Sequence, residues 1–153
     1  MDILWAPWRS NFVRKKRKSG CIFCIDKKKD GRNFIIKRTR LSFAILNIYP
    51  YNNGHVMVAP YRHVKDIKGL NDRELLDMMK LVKEMQVLLE KRLNTHGFNI
   101  GVNTGEVAGA GYKNHIHMHI VPRWNGDTNF MPVISGTRVI SQSLEELYKM
   151  LKG

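Results

Sequence analysis

The stretch NHIHMHIVPRWNGD, residues 114–127, carries His115, His117 and His119 at every second position, half of the chain's six histidines. A lone histidine in such a place most often serves structure. Three at one spacing argue for chemistry, and two chemistries fit. All three could bind one metal ion. Alternatively one neutral imidazole attacks phosphorus, its other nitrogen held by an acceptor, while the others manage charge and protons. Just upstream, GEVAGAGYK (105–113) spaces Gly105, Gly109 and Gly111 with the small Ala108 and Ala110. A run of that kind lets backbone N–H groups approach phosphate oxygens, and Asn103 and Thr104 before it could add side-chain hydrogen bonds. The loop favours the nucleophile over the metal. Cys21 and Cys24, the only cysteines, form a C-x-x-C pair, which in a cytosolic chain reads as a metal or redox pair rather than a disulfide.

Alternation along a strand sends successive side chains to opposite faces, so the three histidines share one face, a stripe on the exposed side of a sheet. Ile116, Met118 and Ile120 point into apolar packing. This strand ends at Pro122. Other strands are expected at 33–39 (NFIIKRT), 41–48 (LSFAILNI), 54–60 (GHVMVAP, entered by the Asn53-Gly54 turn) and 98–105 (FNIGVNTG). Residues 71–95 form the clearest helix. Asn71 caps it with Glu74 at the capping-box position, and Leu75, Met78, Met79, Val82, Met85, Leu89 and Leu93 make its apolar face. A short amphipathic helix spans about 142–152. Clustered strands with hairpin-sized connections predict an α+β domain with a largely antiparallel sheet, one domain over 1–153 with residues 1–20 as an N-terminal basic arm.

The charge is uneven. Of a net +13, the segment 9–40 carries +11, with thirteen Lys and Arg against Asp26 and Asp30. Such an excess concentrates anions, polyphosphates or nucleic acid among them, or is simply a solvated arm. Hydrophobic residues at 43% and charged ones at 25% exclude a disordered chain. No apolar run approaches the ~20 residues a membrane helix needs. ILWAPW near the start is too short for a signal peptide's apolar region, so a cytoplasmic protein is expected.

These residues resemble a known family. HIHMHIV (115–121) fits the histidine triad pattern His-φ-His-φ-His-φ-φ, φ being apolar. LWAPWR, CIFC, LNIYPYNNGHVMVAPYRH, GFNIGVNTG and HIVPRWNGDTNFMPVISGT look like the prokaryotic branch of the histidine triad (HIT) superfamily, nearest to diadenosine tetraphosphate phosphorylases and HIT hydrolases. The resemblance implies a homodimer on a HIT-like fold, with a five-stranded, mainly antiparallel sheet and two main helices. It implies action on the α-phosphate of dinucleoside polyphosphates through a covalent nucleotidyl-histidine, Mg2+ accompanying the substrate. His117 would be the nucleophile, His119 would bind phosphate and assist the leaving group, and His55 would support them from a neighbouring strand. Asn47 would meet the ribose, and Asn103, Thr104, Gly109, Ala110, Gly111 and Tyr112 would cradle phosphate. One departure stands out: where many members carry Gln and then Ser or Thr in this loop, the chain has Ala110 and Gly111, and the loop looks one residue longer.

By the same resemblance Cys21, Cys24, His63 and His115 make a structural Cys2His2 zinc site. Four protein ligands close the tetrahedron and leave no place for an activated water. Other readings stay open: a nucleoside phosphoramidase, removal of AMP from adenylylated DNA ends, a nucleotide-binding module with little turnover, and a hydrolase whose metal is held by all three histidines.

Overall fold

The strand VMVAP is buried along its whole length, which requires cover on both faces of the sheet it belongs to. The structure, a computed structural model, describes residues 20–25, 30–105, 107–109, 112–128 and 139–153. The basic arm up to residue 19, and with it RKKRK, lies outside the described residues, as do Ala110 and Gly111.

The elements run α1 (Asp30–Asn33), β1 (Ile35–Arg38), β2 (Ser42–Leu46), β3 (Val56–Pro60), a 3-10 turn at Ile67–Gly69, α2 (Asp72–Leu93), β4 (Gly97–Val102), β5 (Met118–Arg123) and α3 (Leu144–Lys152). Five strands form one sheet in the order β1-β2-β3-β5-β4, each pair antiparallel, as expected. Ile36, Ala44, Leu46, Val56, Val58 and Ile120 face α2 and α3, meeting Met78, Leu81, Val82, Met85, Leu89, Leu147 and Leu151. Their sequence neighbours Ile35, Phe43, Met57 and Ala59 face the other way and pack on Phe23. The period of two thus splits the core into a helix side and a side covered by the CIFC segment.

Helix α2 has both halves of the Asn71–Glu74 capping box and ends on Asn94 in the left-handed conformation. Its buried stripe differs from the expected one by a residue: Met79 is exposed and Leu81 is buried. Both fit a three-four spacing, and the angle at which the sheet meets the helix selects between them. The predicted 33–39 strand loses its start to α1, and Phe34 turns the chain with φ 55°. Asp30 of that helix receives Arg38 Nε and Nη2 at 2.9 and 2.7 Å. The poorly marked break between β1 and β2 is set from afar, because the hydroxyls of Thr39 and Ser42 both bond Asp77 on α2 at 2.5 and 2.6 Å.

Two expectations about the histidine strand are corrected. Only His119 lies in β5, while His115 sits in a bend and His117 in the irregular segment leading into it. Nor does Pro122 end the strand: it pairs with Phe98 of β4, and the ladder reaches Arg123. Beyond Ile120 the chain has no partner on β3, so a residue without an N–H costs nothing on that side.

Candidate active site and metal centre

His55 enters β3 behind the Asn53-Gly54 turn. Gly54 takes φ 73°, a conformation that favours glycine, and a Cβ there would press on Leu93 Cδ1 at 2.6 Å and Pro122 Cγ at 3.0 Å. The backbone N–H of Tyr51 donates to His55 Nδ1 at 3.0 Å, and Asn47 Nδ2 approaches the same atom at 3.2 Å. Asn47 is held in turn by accepting the Tyr49 N–H at 2.9 Å. With Nδ1 accepting, the His55 proton sits on Nε2 and is donated to His119 Nδ1 at 2.9 Å. His119 therefore carries its own proton on Nε2. Two bonds to backbone and amide thus set the tautomers of two rings.

His117 is oriented differently. Its Nδ1–H donates to the carbonyl of His115 at 2.8 Å, which leaves the Nε2 lone pair with no partner among the described residues. The ring makes an edge contact with His119, centroids 4.9 Å apart, and lies nearly flat on Phe23, centroids 4.6 Å apart. The triad is not on an exposed stripe: all three histidines are buried, beneath Phe23 on one side and Tyr51 on the other. Burial, ahead of the charges His119 and His117 would carry, pushes His55 down to about 3. Burial followed by His117 takes His119 down to about 4. Burial also lowers His117, against the opposing pull of the His115 carbonyl. At neutral pH the cluster is uncharged, the state in which imidazole nitrogen is a nucleophile.

The third triad member faces away. His115 donates Nε2–H to Pro60 O at 2.9 Å and aims Nδ1 at Cys21 Sγ, 3.2 Å distant. Cys24 Sγ and His63 Nδ1 are 3.4 Å apart, and the four ligand atoms lie within 4.8 Å of one another. Two sulfurs and two nitrogens spaced so closely suit a tetrahedral ion with bonds of roughly 2.0–2.3 Å. The four residues singled out in the sequence are therefore brought together.

The phosphate-loop candidates among the described residues are brought to the same end of the sheet. β4 and β5 pair up to Val102 and Met118, so the residues just beyond the two strands at that end are Asn103 and His117. Asn103 Nδ2 reaches back to Gly109 O at 3.4 Å, and Gly105 and Gly109 take φ 89° and 80°. Thr104 is exposed at the rim. The Tyr112 hydroxyl donates to Gly20 O at 2.7 Å, tying the loop to the cysteine segment instead of aiming at a phosphate. Phe23 and Tyr51 escaped the sequence reading. The position of Phe23 between two ligands was a visible signal, but its stacking partner lies ninety-four residues on.

The family model for the HIT domain matches residues 28–126. The chain is 36% identical to the AP-4-A phosphorylase of Mycobacterium tuberculosis over 158 residues, covering 97% of this chain and 81% of that one. It is 39% identical over 93 residues to the asymmetrical bis(5'-nucleosyl)-tetraphosphatase of Schizosaccharomyces pombe, covering 61% and 50%. Among solved structures, a Zn-bound histidine triad family protein from Mycobacterium smegmatis superposes with a TM-score of 0.70 at 28% identity, covering 86% and 90%.

Proposed function

Because this chain belongs to the HIT domain family, we propose that it cleaves dinucleoside polyphosphates such as diadenosine tetraphosphate at the α-phosphate through a nucleotidyl intermediate on His117. One observation carries the reading: the Nε2 lone pair of a neutral, buried His117, unpartnered among the described residues, set beside a His119 whose tautomer leaves Nε2–H as a donor. His117 Nε2 forms a bond to the α-phosphorus, and the P–O bond to the leaving polyphosphate breaks, its electron pair leaving on oxygen. His119 Nε2–H donates to a phosphoryl oxygen while charge builds there. Inorganic phosphate then attacks the same phosphorus and the electron pair of the N–P bond returns to Nε2, releasing ADP beside the ATP of the first step. Phosphate is favoured over water because the relative named a phosphorylase is matched over 97% of this chain and the tetraphosphatase over 61%.

Asn47 serves the ribose, and Asn103, Thr104, Gly109 and the backbone of Tyr112 serve the phosphates. A zinc ion on Cys21, Cys24, His63 and His115 would supply a structural clip, which the Zn-bound neighbour supports. The reduced cysteines such a site needs accord with the cytoplasm. A homodimer accords with β4, the sheet's exposed edge, where Ile100 lies open.

Incubation with diadenosine tetraphosphate, with and without inorganic phosphate, tests the reading, and a P–N substrate, an adenosine phosphoramidate, runs in parallel. ADP and ATP formed only with phosphate is the expected result. AMP with ATP moves the acceptor to water, and cleavage of the phosphoramidate alone overturns the substrate class.

A further inference from the structure

Cys21 and Cys24 close a tight turn, Cys24 N–H bonding Cys21 O at 3.1 Å, and the two residues between them part company. Ile22 points outward, 59% exposed, while Phe23 is driven inward to 1%. There Phe23 meets three rings. It stacks on His117 at 4.6 Å with planes 29° apart, lies against His115 at 5.3 Å, and receives Tyr112 edge-on at 6.0 Å. We propose that Phe23 is a positioning residue for His117, and that the Cys21–Cys24–His63–His115 clip acts on turnover through this ring. The inference rests on the reading of His117 as the nucleophile.

The geometry explains why one is needed. The bond from His117 Nδ1 to the His115 carbonyl fixes a single point of the imidazole, about which the ring can still tilt. The edge contact with His119 limits that tilt from one direction only. Phe23 supplies a flat surface at a centroid distance typical of aromatic pairs and so sets the plane in which the Nε2 lone pair lies. It also covers one face of the ring against water. Phe23 is held by the ligand on either side of it, and one further ligand, His115, supplies the carbonyl that His117 bonds. Two of the three restraints on the nucleophile thus descend from the residues of the same clip. Tyr112 joins the glycine loop to this arrangement through Phe23 and through Gly20 O.

Phe23→Leu separates positioning from burial, since leucine still fills the pocket among Ile35, Phe43, Met57 and Ala59 but offers no flat face. The measurements are steady-state kcat and KM with diadenosine tetraphosphate, the single-turnover rate of nucleotidyl-histidine formation, and zinc per chain. The single-turnover rate does not depend on the folded fraction. The expected outcome is a fall of about 10–100-fold in kcat and in the single-turnover rate, with KM within about threefold and zinc retained. Wild-type rates with zinc retained, or a change confined to KM, would overturn the proposal. His117→Ala run beside it isolates the underlying reading: if that variant turns over normally, the nucleophile assignment fails first. A second measurement uses wild-type protein and needs no turnover. The His117 Hε1 proton resonance, displaced upfield by the Phe23 ring, should move downfield on chelation of zinc while methyl resonances of the α2 core stay in place. A His117 resonance indifferent to zinc overturns the link between clip and nucleophile, including where Phe23→Leu fails to retain the metal.

Discussion

Three histidines of one strand-like segment do three different things, and their partners explain why. His115 gives Nδ1 to the cysteine cluster, His117 gives Nδ1–H to a backbone carbonyl, and His119 accepts a hydrogen bond from His55. Replacing His117 by alanine removes the only imidazole whose lone pair meets no partner among the described residues. Its kcat should fall at least about 10³-fold with Tm within a few degrees, read by product formation and by thermal melting. His55→Phe preserves an aromatic ring but leaves His119 Nδ1 without its donor, so that the proton of His119 no longer has to sit on Nε2. A loss of about 10²-fold in kcat with little change in KM is expected, and an unchanged kcat would exclude a role for the His55–His119 bond. The candidates themselves were legible from spacing and resemblance. Which nitrogen each ring presents was not, because it depends on Pro60, Tyr51 and Asn47, which are brought in by neighbouring strands and turns.

At the scale of elements, the site hangs on the turn into β3 and on the helix behind the sheet. Gly54→Ala introduces a Cβ against Leu93 and Pro122 at a left-handed φ, and should destabilise the fold by about 1–3 kcal/mol, measured by urea unfolding. Helix α2 permits a paired test of its corrected stripe. Leu81→Ala should cost about 2–5 kcal/mol, since Leu81 is fully buried, whereas Met79→Ala should stay within about 0.5 kcal/mol. Equal losses would mean that the face is oriented as the spacing alone suggests. The helix cap was legible because Asn71 and Glu74 are local to each other. The end of β5 was not, since Pro122 is tolerated only because β3 has already stopped.

For the whole molecule, the buried histidines couple stability to pH. His55 and His119 are held near 3 and 4 in the fold, while in the unfolded chain each regains the ordinary imidazole value of about 6.5. Between those limits the unfolded state binds the protons and the folded state does not, so stability rises with pH across the window and is lost as the solution is acidified from about 6.5 towards 4. Each group contributes a slope of up to about 1.4 kcal/mol per pH unit. Unfolding measured from pH 7 to 4.5 should show this slope, and His55→Phe should lessen it by about one proton. A zinc ion held by Cys21, Cys24, His63 and His115 would act in the same ledger by mass action. Free zinc at a thousand times its Kd adds about 4 kcal/mol, so chelation should lower Tm by roughly 8–16 °C. Metal analysis well below one zinc per chain, in protein purified without chelator, would remove that reading.

Wherever the physics is local, the sequence alone was sufficient: period-two alternation placed Ile116 and Ile120 in packing, the capping box began α2, and the C-x-x-C pair with the histidine triad marked the candidate residues that the fold gathers. Only tertiary structure decided which nitrogen each histidine presents, that the Nε2 lone pair of His117 meets no partner among the described residues, and that Phe23 stacks on that ring. Those outcomes depend on side chains far apart in the chain meeting within a hydrogen bond or a ring contact. No residue's own type or immediate neighbours specify such a meeting; the register of five antiparallel strands does.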